Sequence, residues 1–279
     1  MFYYEQFFRT ALDGIDRSDI MPAAIQIGQV ILLISFLVAV YESYIRGGDV
    51  RMLGIAGVKY VCLGLVLSAY GTIFRDINGM FNAFADFIAN STTGGDTFQT
   101  WMSDLREFYR QYGWQRPWDL VMGGIAAFIG VVPMLAGYIL YPLTYVAFCF
   151  FYSFYGAVLY VLGPLVISLI PAFGLGSLGR AYLINLIAFH FWGIIYSVLG
   201  ALMAAVNLAT VQDVLTAESF IGGFVGLEQS LLLGIASIFY SISIAAIPFL
   251  AGRIVRGEAF GTIANIVLSK IPLPSRLRP

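Results

Sequence analysis

Charge is the scarcest feature of this chain. Only 11% of its 279 residues are Asp, Glu, Lys or Arg, against roughly 25% in soluble domains. The 15 bases and 16 acids leave a net charge of −1, so no one-signed field exists to hold a nucleic acid. There are two cysteines; Cys62 and Cys149 both sit in apolar stretches, read as small hydrophobes and say little about redox compartment. The single histidine, His190, has no cysteine or carboxylate beside it and cannot complete a metal site of normal coordination. No P-loop, HExxH or G-x-S-x-G occurs. Residues 174–179 spell G-x-G-x-x-G (Gly174, Gly176, Gly179), but a dinucleotide site needs a strand before it and a βαβ unit around it. These absences point away from an enzyme: no catalytic, cofactor or metal residue is expected. No cleavable signal peptide is read either, because the first apolar run is longer than a signal core of ~7–15 residues and lacks a small-residue exit.

Apolar residues fill the space that charge leaves. They make up 59% of the chain, and the mean hydropathy is +0.84. The surface of a water-soluble fold must stay largely polar, and this composition cannot supply one. Lipid as the surrounding medium resolves the conflict. The fold class expected is an all-α integral membrane protein, a single polytopic domain over 1–279. Aromatics reach 16%; Tyr44, Tyr60, Tyr70, Trp118 and Tyr141 stand near the ends of apolar runs, as interfacial belts require.

A helix needs about 20 apolar residues to cross the hydrocarbon. Residues 21–44, 52–74, 181–207 and 231–250 each qualify. A fifth run, 120–173, is too long for one span at ~1.5 Å per residue. It holds Pro133, Pro142, Pro164 and Pro171, and it divides most simply near Tyr141-Pro142 into two helices. One long kinked span with a re-entrant or interfacial piece is the other division. Five or six transmembrane helices follow.

Amphipathic segments lie between and around the spans. In the N-terminal segment 1–20, Tyr4, Phe7, Phe8, Ala11 and Ile15 share a side, opposite Glu5, Arg9 and Asp13. Within the extramembrane loop 75–119, Ile77, Met80, Phe81, Phe84 and Ile88 oppose Asn78, Asn82 and Asp86; Trp101, Leu105, Phe108, Tyr109 and Tyr112 make a second apolar face. The basic tail 253–279 offers Phe260, Ile263, Ala264, Val267 and Ile271. Such helices either lie in the membrane interface, apolar side down, or dock on the protein's own loops.

Counting Lys and Arg near span ends does not fix orientation. Five crossings put Arg46, Arg51, Arg180 and the tail inside, with the N-terminus outside. Six put the N-terminus inside and Arg46 and Arg51 outside.

Candidate functional residues are few. Lys59 is the one charge well inside a span. It either works there or snorkels to the headgroups along its long stem. His190, mid-run, either relays a proton or binds a ligand, or it hydrogen-bonds a neighbouring helix. Two stripes of small residues, Gly193, Ser197, Gly200 and Ala204 on one helix and Gly234, Ser237, Ser241 and Ala245 on another, invite close packing in lipid. The expectation is that these helices meet each other or a neighbouring subunit.

The block Val161-Leu-Gly163-Pro164-Leu-Val-Ile-Ser-Leu-Ile-Pro171, then Gly179-Arg180 and a long span to Asn207, resembles the TrbL-type polytopic inner-membrane subunit of bacterial type IV secretion and conjugation systems. The layout is similar across the chain, the letters over residues 161–207. The sequence departs from the family in having Ala181, Tyr182 and Leu183 after the basic residue, with Trp192 coming later, and in its short tail. The resemblance implies a multi-pass subunit of the bacterial inner membrane with five crossings, its N-terminus and the 75–119 loop in the periplasm. It also implies a homo-oligomer that works with periplasmic core proteins and cytoplasmic ATPases, and that touches transferred protein or DNA transiently. On that reading Gly163 and Pro164 shape the mid-chain break and Arg180 anchors the inner face. A small-solute transporter or ion channel using Lys59 or His190, or a scaffold of another envelope machine, is the alternative.

Overall fold

The computed structural model describes residues 2–45, 47, 50–92, 95–112, 124–171, 176–205 and 228–257. Among these every regular element is a helix: α1 (Tyr3–Arg17), α2 (Ile20–Ile45), α3 (Val50–Ser68), α4 (Tyr70–Thr92), α5 (Thr97–Tyr112), α6 (Gly124–Leu169), α7 (Gly176–Ala205) and α8 (Glu228–Val255). The acidic stretch 208–228 falls almost wholly outside the described residues, as do Trp118 and the expected tail helix. Four helices are long and apolar enough to cross a membrane: α2, the 135–169 part of α6, α7, and the 234–255 part of α8; α3 and α4 together form a fifth, bent candidate. The chain is a multi-pass helical membrane protein.

The proline-rich run does not divide at Tyr141-Pro142. α6 is one helix of 46 residues that passes through Pro133, Pro142 and Pro164. Nor does the chain break at Gly163-Pro164, since α6 continues to Leu169. Prolines of this kind persist in membrane helices because neighbouring helices satisfy the freed backbone groups.

The expected second span, 52–74, is the one that breaks. α3 and α4 meet at a 68° bend, a broken span or a re-entrant loop. Ser68 supplies a local cause: its hydroxyl donates to the Gly64 carbonyl at 2.9 Å, a back-bond that bends helices. Gly71 follows, and its missing Cβ admits the Tyr160 hydroxyl, which would lie 3.0 Å from such an atom.

α4 overturns its expected orientation. It buries Phe74, Asn78, Asn82, Ala85 and Ala89 and exposes Met80, Phe84 and Phe87, the last at 68%. Apolar residues out and asparagines in is the reverse of a helix floating on a water-facing loop. It is the arrangement lipid selects, because polar groups find partners only inside the protein. Residues 75–92 therefore belong to the bundle, running beside α7 from Tyr70 opposite Tyr182 (2.6 Å) to Phe81 against Phe191 (5.7 Å).

Nor do the tyrosines form a simple belt. Tyr60, Tyr70 and Tyr141 are buried. Their hydroxyls donate to the carbonyls of Ser35, Leu159 and Phe98, so each ring ties one helix to another. Tyr44 alone of the described set is exposed, at 80%.

Candidate functional site

α1 packs along α6 with one face buried in the bundle. It is neither laid on a membrane surface nor docked on a loop. Tyr3 meets Tyr145 at 6.5 Å, Phe8 meets Tyr152 at 5.4 Å, and Asp16 accepts from the Tyr160 hydroxyl at 2.9 Å. α1 thus runs parallel to α6 for its whole length. Its other flanks touch α4, through Phe8 and Phe74, and α7, through Phe8 and Phe189.

Two glycines make the seat. A Cβ on Gly156 of α6 would stand 2.5 Å from both Phe8 and Phe189, and one on Gly193 of α7 would stand 2.9 Å from the Tyr4 hydroxyl. Tyr4, Phe8 and Leu12, one residue per turn, are at most 1% exposed. Their spacing is the apolar stripe of an amphipathic helix, here turned inward.

Polar groups share that interior. Tyr152 donates to Asn78 Oδ1 at 3.2 Å. Among the described residues, however, the buried Tyr4 hydroxyl, the Asn82 amide, Ser153 Oγ, Ser197 Oγ and both His190 ring nitrogens have no hydrogen-bond partner. Each such group costs roughly 1–3 kcal/mol when left unmatched. His190 is packed among the rings of Phe74, Phe81 and Phe189. Among the described residues His190 makes no hydrogen bond to a neighbouring helix.

Polar clusters stand near both ends of α1, and one of them bonds it. At one, Arg75 donates to Asp13 at 2.9 Å and Asp16 at 2.6 Å. Near the other stands Asp96, just before α5. Its carboxylate accepts the Tyr196 hydroxyl at 2.8 Å, the Phe98 amide at 3.2 Å and the Tyr145 hydroxyl at 3.5 Å. Burial raises the Asp96 pKa above the ordinary carboxylate value, against the lowering effect of these donors. Asp96 is not among the residues that the sequence singles out. The signal was there: Asp96 followed by Gln99 before an apolar face is the capping pattern of a helix N-terminus.

The remaining face of α1 carries Gln6, Arg9, Thr10, Asp13, Gly14 and Arg17, all exposed, with Tyr3 and Phe7 exposed beside them toward its N-terminal end. Arg9 pairs with Glu5 at 2.7 Å, the carboxylate side chain 3% and the guanidinium side chain 53% exposed. Phe8, in the middle of α1, touches Tyr152, the central residue of the 135–169 stretch, and Phe189, beside the centre of 176–204.

The other predicted residues scatter. Lys59 is exposed on α3 and Arg180 on the second turn of α7. Gly163 has a clear role: its Cβ would collide with the Tyr70 hydroxyl and stand 2.6 Å from that of Tyr182. Pro164 is buried, and its carbonyl would lie 3.0 Å from a Cβ on Gly28 of α2. The two helices that carry the small-residue stripes, α7 and α8, do pack on each other, but the glycines of the stripes face other elements. Gly193 faces Tyr4 and Asn82, and Gly200 faces Thr97 and Phe98. Gly137 of α6, instead, receives Gly234 and Ser237 of α8. Ser237 also accepts the Trp101 indole N–H at 3.1 Å, and Ser241 donates to the Ser237 carbonyl. Ser197 is buried, whereas Ala204 and Ala245 are exposed. No three His, Cys, Asp or Glu side chains among the described residues come together to hold a metal ion.

Comparison with protein-family models, with curated proteins and with solved structures returns no match.

Proposed function

We propose that this chain is a non-catalytic subunit of a membrane translocation assembly of the type IV secretion class, working as channel wall or scaffold in several copies within a bacterial inner membrane. One observation carries the reading: a charged helical face level with the middle of two membrane-length apolar helices. Arg9, Asp13 and their polar neighbours cannot rest against hydrocarbon, where each charge costs ~2.5–3.5 kcal/mol at mid-depth. They need water or another protein chain beside them. Met80, Phe84 and Phe87 on α4 and the outer residues of α2 suit lipid. A subunit with one lipid-facing side and one polar side at the same depth is what a ring around an aqueous route requires.

The resemblance over residues 161–207 gives the class of machine. Energy would come from partner ATPases, and transferred protein or DNA would pass by without a stable complex. Purification from native membranes under mild detergent tests this. Recovery with secretion ATPases and core-complex proteins is expected, and a solitary monomer contradicts it. The solute-transporter alternative would need a route past Lys59, exposed on α3, or His190, packed among aromatic rings.

A further inference from the structure

We propose that α1 is a withdrawable plug: it closes a groove between α4, α6 and α7 whose floor becomes a water-accessible path when α1 leaves. The inference concerns this chain alone and needs no secretion partner, so its test is separate from co-purification.

Three features of α1 suit a helix that moves. First, its composition suits water as well as the protein interior. Glu5, Arg9, Asp13, Asp16 and Arg17 fall within its 15 residues, a charge density far above the 11% of the whole chain. Second, it hangs on a short link. α1 stops at Arg17 and α2 starts at Ile20, with Asp19 between them at φ 58°. That left-handed conformation is uncommon for a residue with a side chain, and it lets one helix turn against the next. Third, the clamp at its C-terminal end is partly open to solvent. The Arg75 side chain is 35% exposed and those of Asp13 and Asp16 53% and 39%, so water and salt can compete for it.

The groove supplies the opposing force. Rings in glycine notches favour the closed state: Phe8 over Gly156 and Tyr4 over Gly193. Closure also leaves the Tyr4 hydroxyl, the Asn82 side-chain oxygen and Ser197 Oγ without partners among the described residues, each residue at most 3% exposed. Asn82 Oδ1 would lie 3.1 Å from a Cβ on Gly193, and the Tyr4 hydroxyl 2.9 Å from the same point, so the two crowd one spot on α7. Ser197 lies one turn further along that helix. Water would satisfy all three once α1 lifts. Ring burial against unmatched polar groups is a balance between two states that a partner can tip. The exposed path would carry Asn78, Asn82, Tyr152 and Ser197 among the rings of Phe74, Phe148 and Phe189, an uncharged surface with hydrogen-bonding groups for water and small solutes.

The test uses the full chain in proteoliposomes, with Cys62→Ala and Cys149→Ala as background and a single reporter, Asn82→Cys. A membrane-impermeant cationic methanethiosulfonate measures its exposure, read by mass spectrometry on the peptide that holds residue 82 so that the locking cysteines do not count. α1 is locked by joining Phe7→Cys to Phe150→Cys, whose native rings lie 5.1 Å apart, with a short reducible crosslinker. It is released by Arg75→Gln with Phe8→Ala. Labelling at 82 should fall about tenfold on locking, recover on reduction and rise on release, as a shifted population requires. Ser197→Cys should repeat the pattern, while Ser103→Cys on the exposed face of α5 should label equally in every state. Equal labelling of both groove reporters in locked and released protein overturns the proposal. So does equal labelling, in the released state, of Ser241→Cys, which is buried on α8 outside the groove and would mark general unfolding.

Discussion

The ring of Phe8 fills the space that a side chain on Gly156 would need. A Cβ at 156 stands 2.5 Å from that ring and 2.5 Å from Phe189, so α1 and α7 both reach α6 through one missing carbon. Gly156→Ala should therefore loosen α1 and lower stability in detergent by about 1–3 kcal/mol, the usual cost of overpacking. Gly14→Ala, at a glycine with nothing within 4 Å, is the matched control. It should hold or raise the thermal midpoint, because alanine favours helix. Equal midpoints for the two variants would refute the notch.

Gly163 makes a second such junction, between α6 and the hydroxyls of Tyr70 and Tyr182. Gly163→Ala is expected to destabilise by about 1–3 kcal/mol. Tyr182→Phe, which removes the donor to the Leu159 carbonyl at 2.9 Å, should cost only ~0.5–1.5 kcal/mol. Chemical unfolding in mixed micelles ranks the two. The reverse order would mean that the hydroxyl network, and not the close approach, holds α4, α6 and α7 together.

Asp96 gives the chain a pH dependence. Its folded pKa lies above the unfolded value because burial disfavours the carboxylate. The folded state therefore binds the proton more tightly, so stability is greatest below the ordinary carboxylate range and declines as pH rises through the raised pKa. Asp96→Asn keeps an oxygen for Tyr196 and removes the titration. Its thermal midpoint should vary less than that of the parent between about pH 4 and pH 7. Asp96→Ala should lose about 1 kcal/mol at every pH, since the α5 cap goes with it. An Asn variant as pH-sensitive as the parent would assign the slope to other groups.

How far the sequence could be read depended on whether one solvent governed a segment. α2, α7 and α8 fell near the expected bounds because uninterrupted apolar runs in lipid permit little else. α1 and α4 were both legible as amphipathic helices, yet periodicity cannot say which face turns inward. α4 turned Asn78 and Asn82 in, as lipid demands, while α1 turned Tyr4 and Phe8 in. That difference is set by what surrounds each helix, and no hydropathy count contains it. The α6 run misled because proline was weighed as it acts in water, where no neighbouring helix covers the freed carbonyl. Asp96 was legible in principle from Gln99 three residues on. Its pairing with Tyr145 and Tyr196 was not, since those residues lie 49 and 100 positions away.

His190 separates the plug from a proton relay. Both its nitrogens lack partners among the described residues, and its ring sits 5.3 Å from Phe81 and 5.2 Å from Phe189. His190→Phe should leave folding and assembly intact or raise the midpoint slightly, because an unmatched polar group is removed. Loss of transfer in an otherwise folded His190→Phe protein would return the residue to a functional role.

The account rests on α1 and α4 facing different solvents at one depth. Nitroxide labels at Thr10 and Phe84, in reconstituted bilayers, measure this through collision with oxygen, which partitions into lipid, and with a polar nickel chelate, which stays in water. The label at 84 should collide freely with oxygen and barely with nickel, and the label at 10 should show the reverse. If position 10 reports lipid, or position 84 reports water, the charged face has no aqueous neighbour and the translocation reading fails.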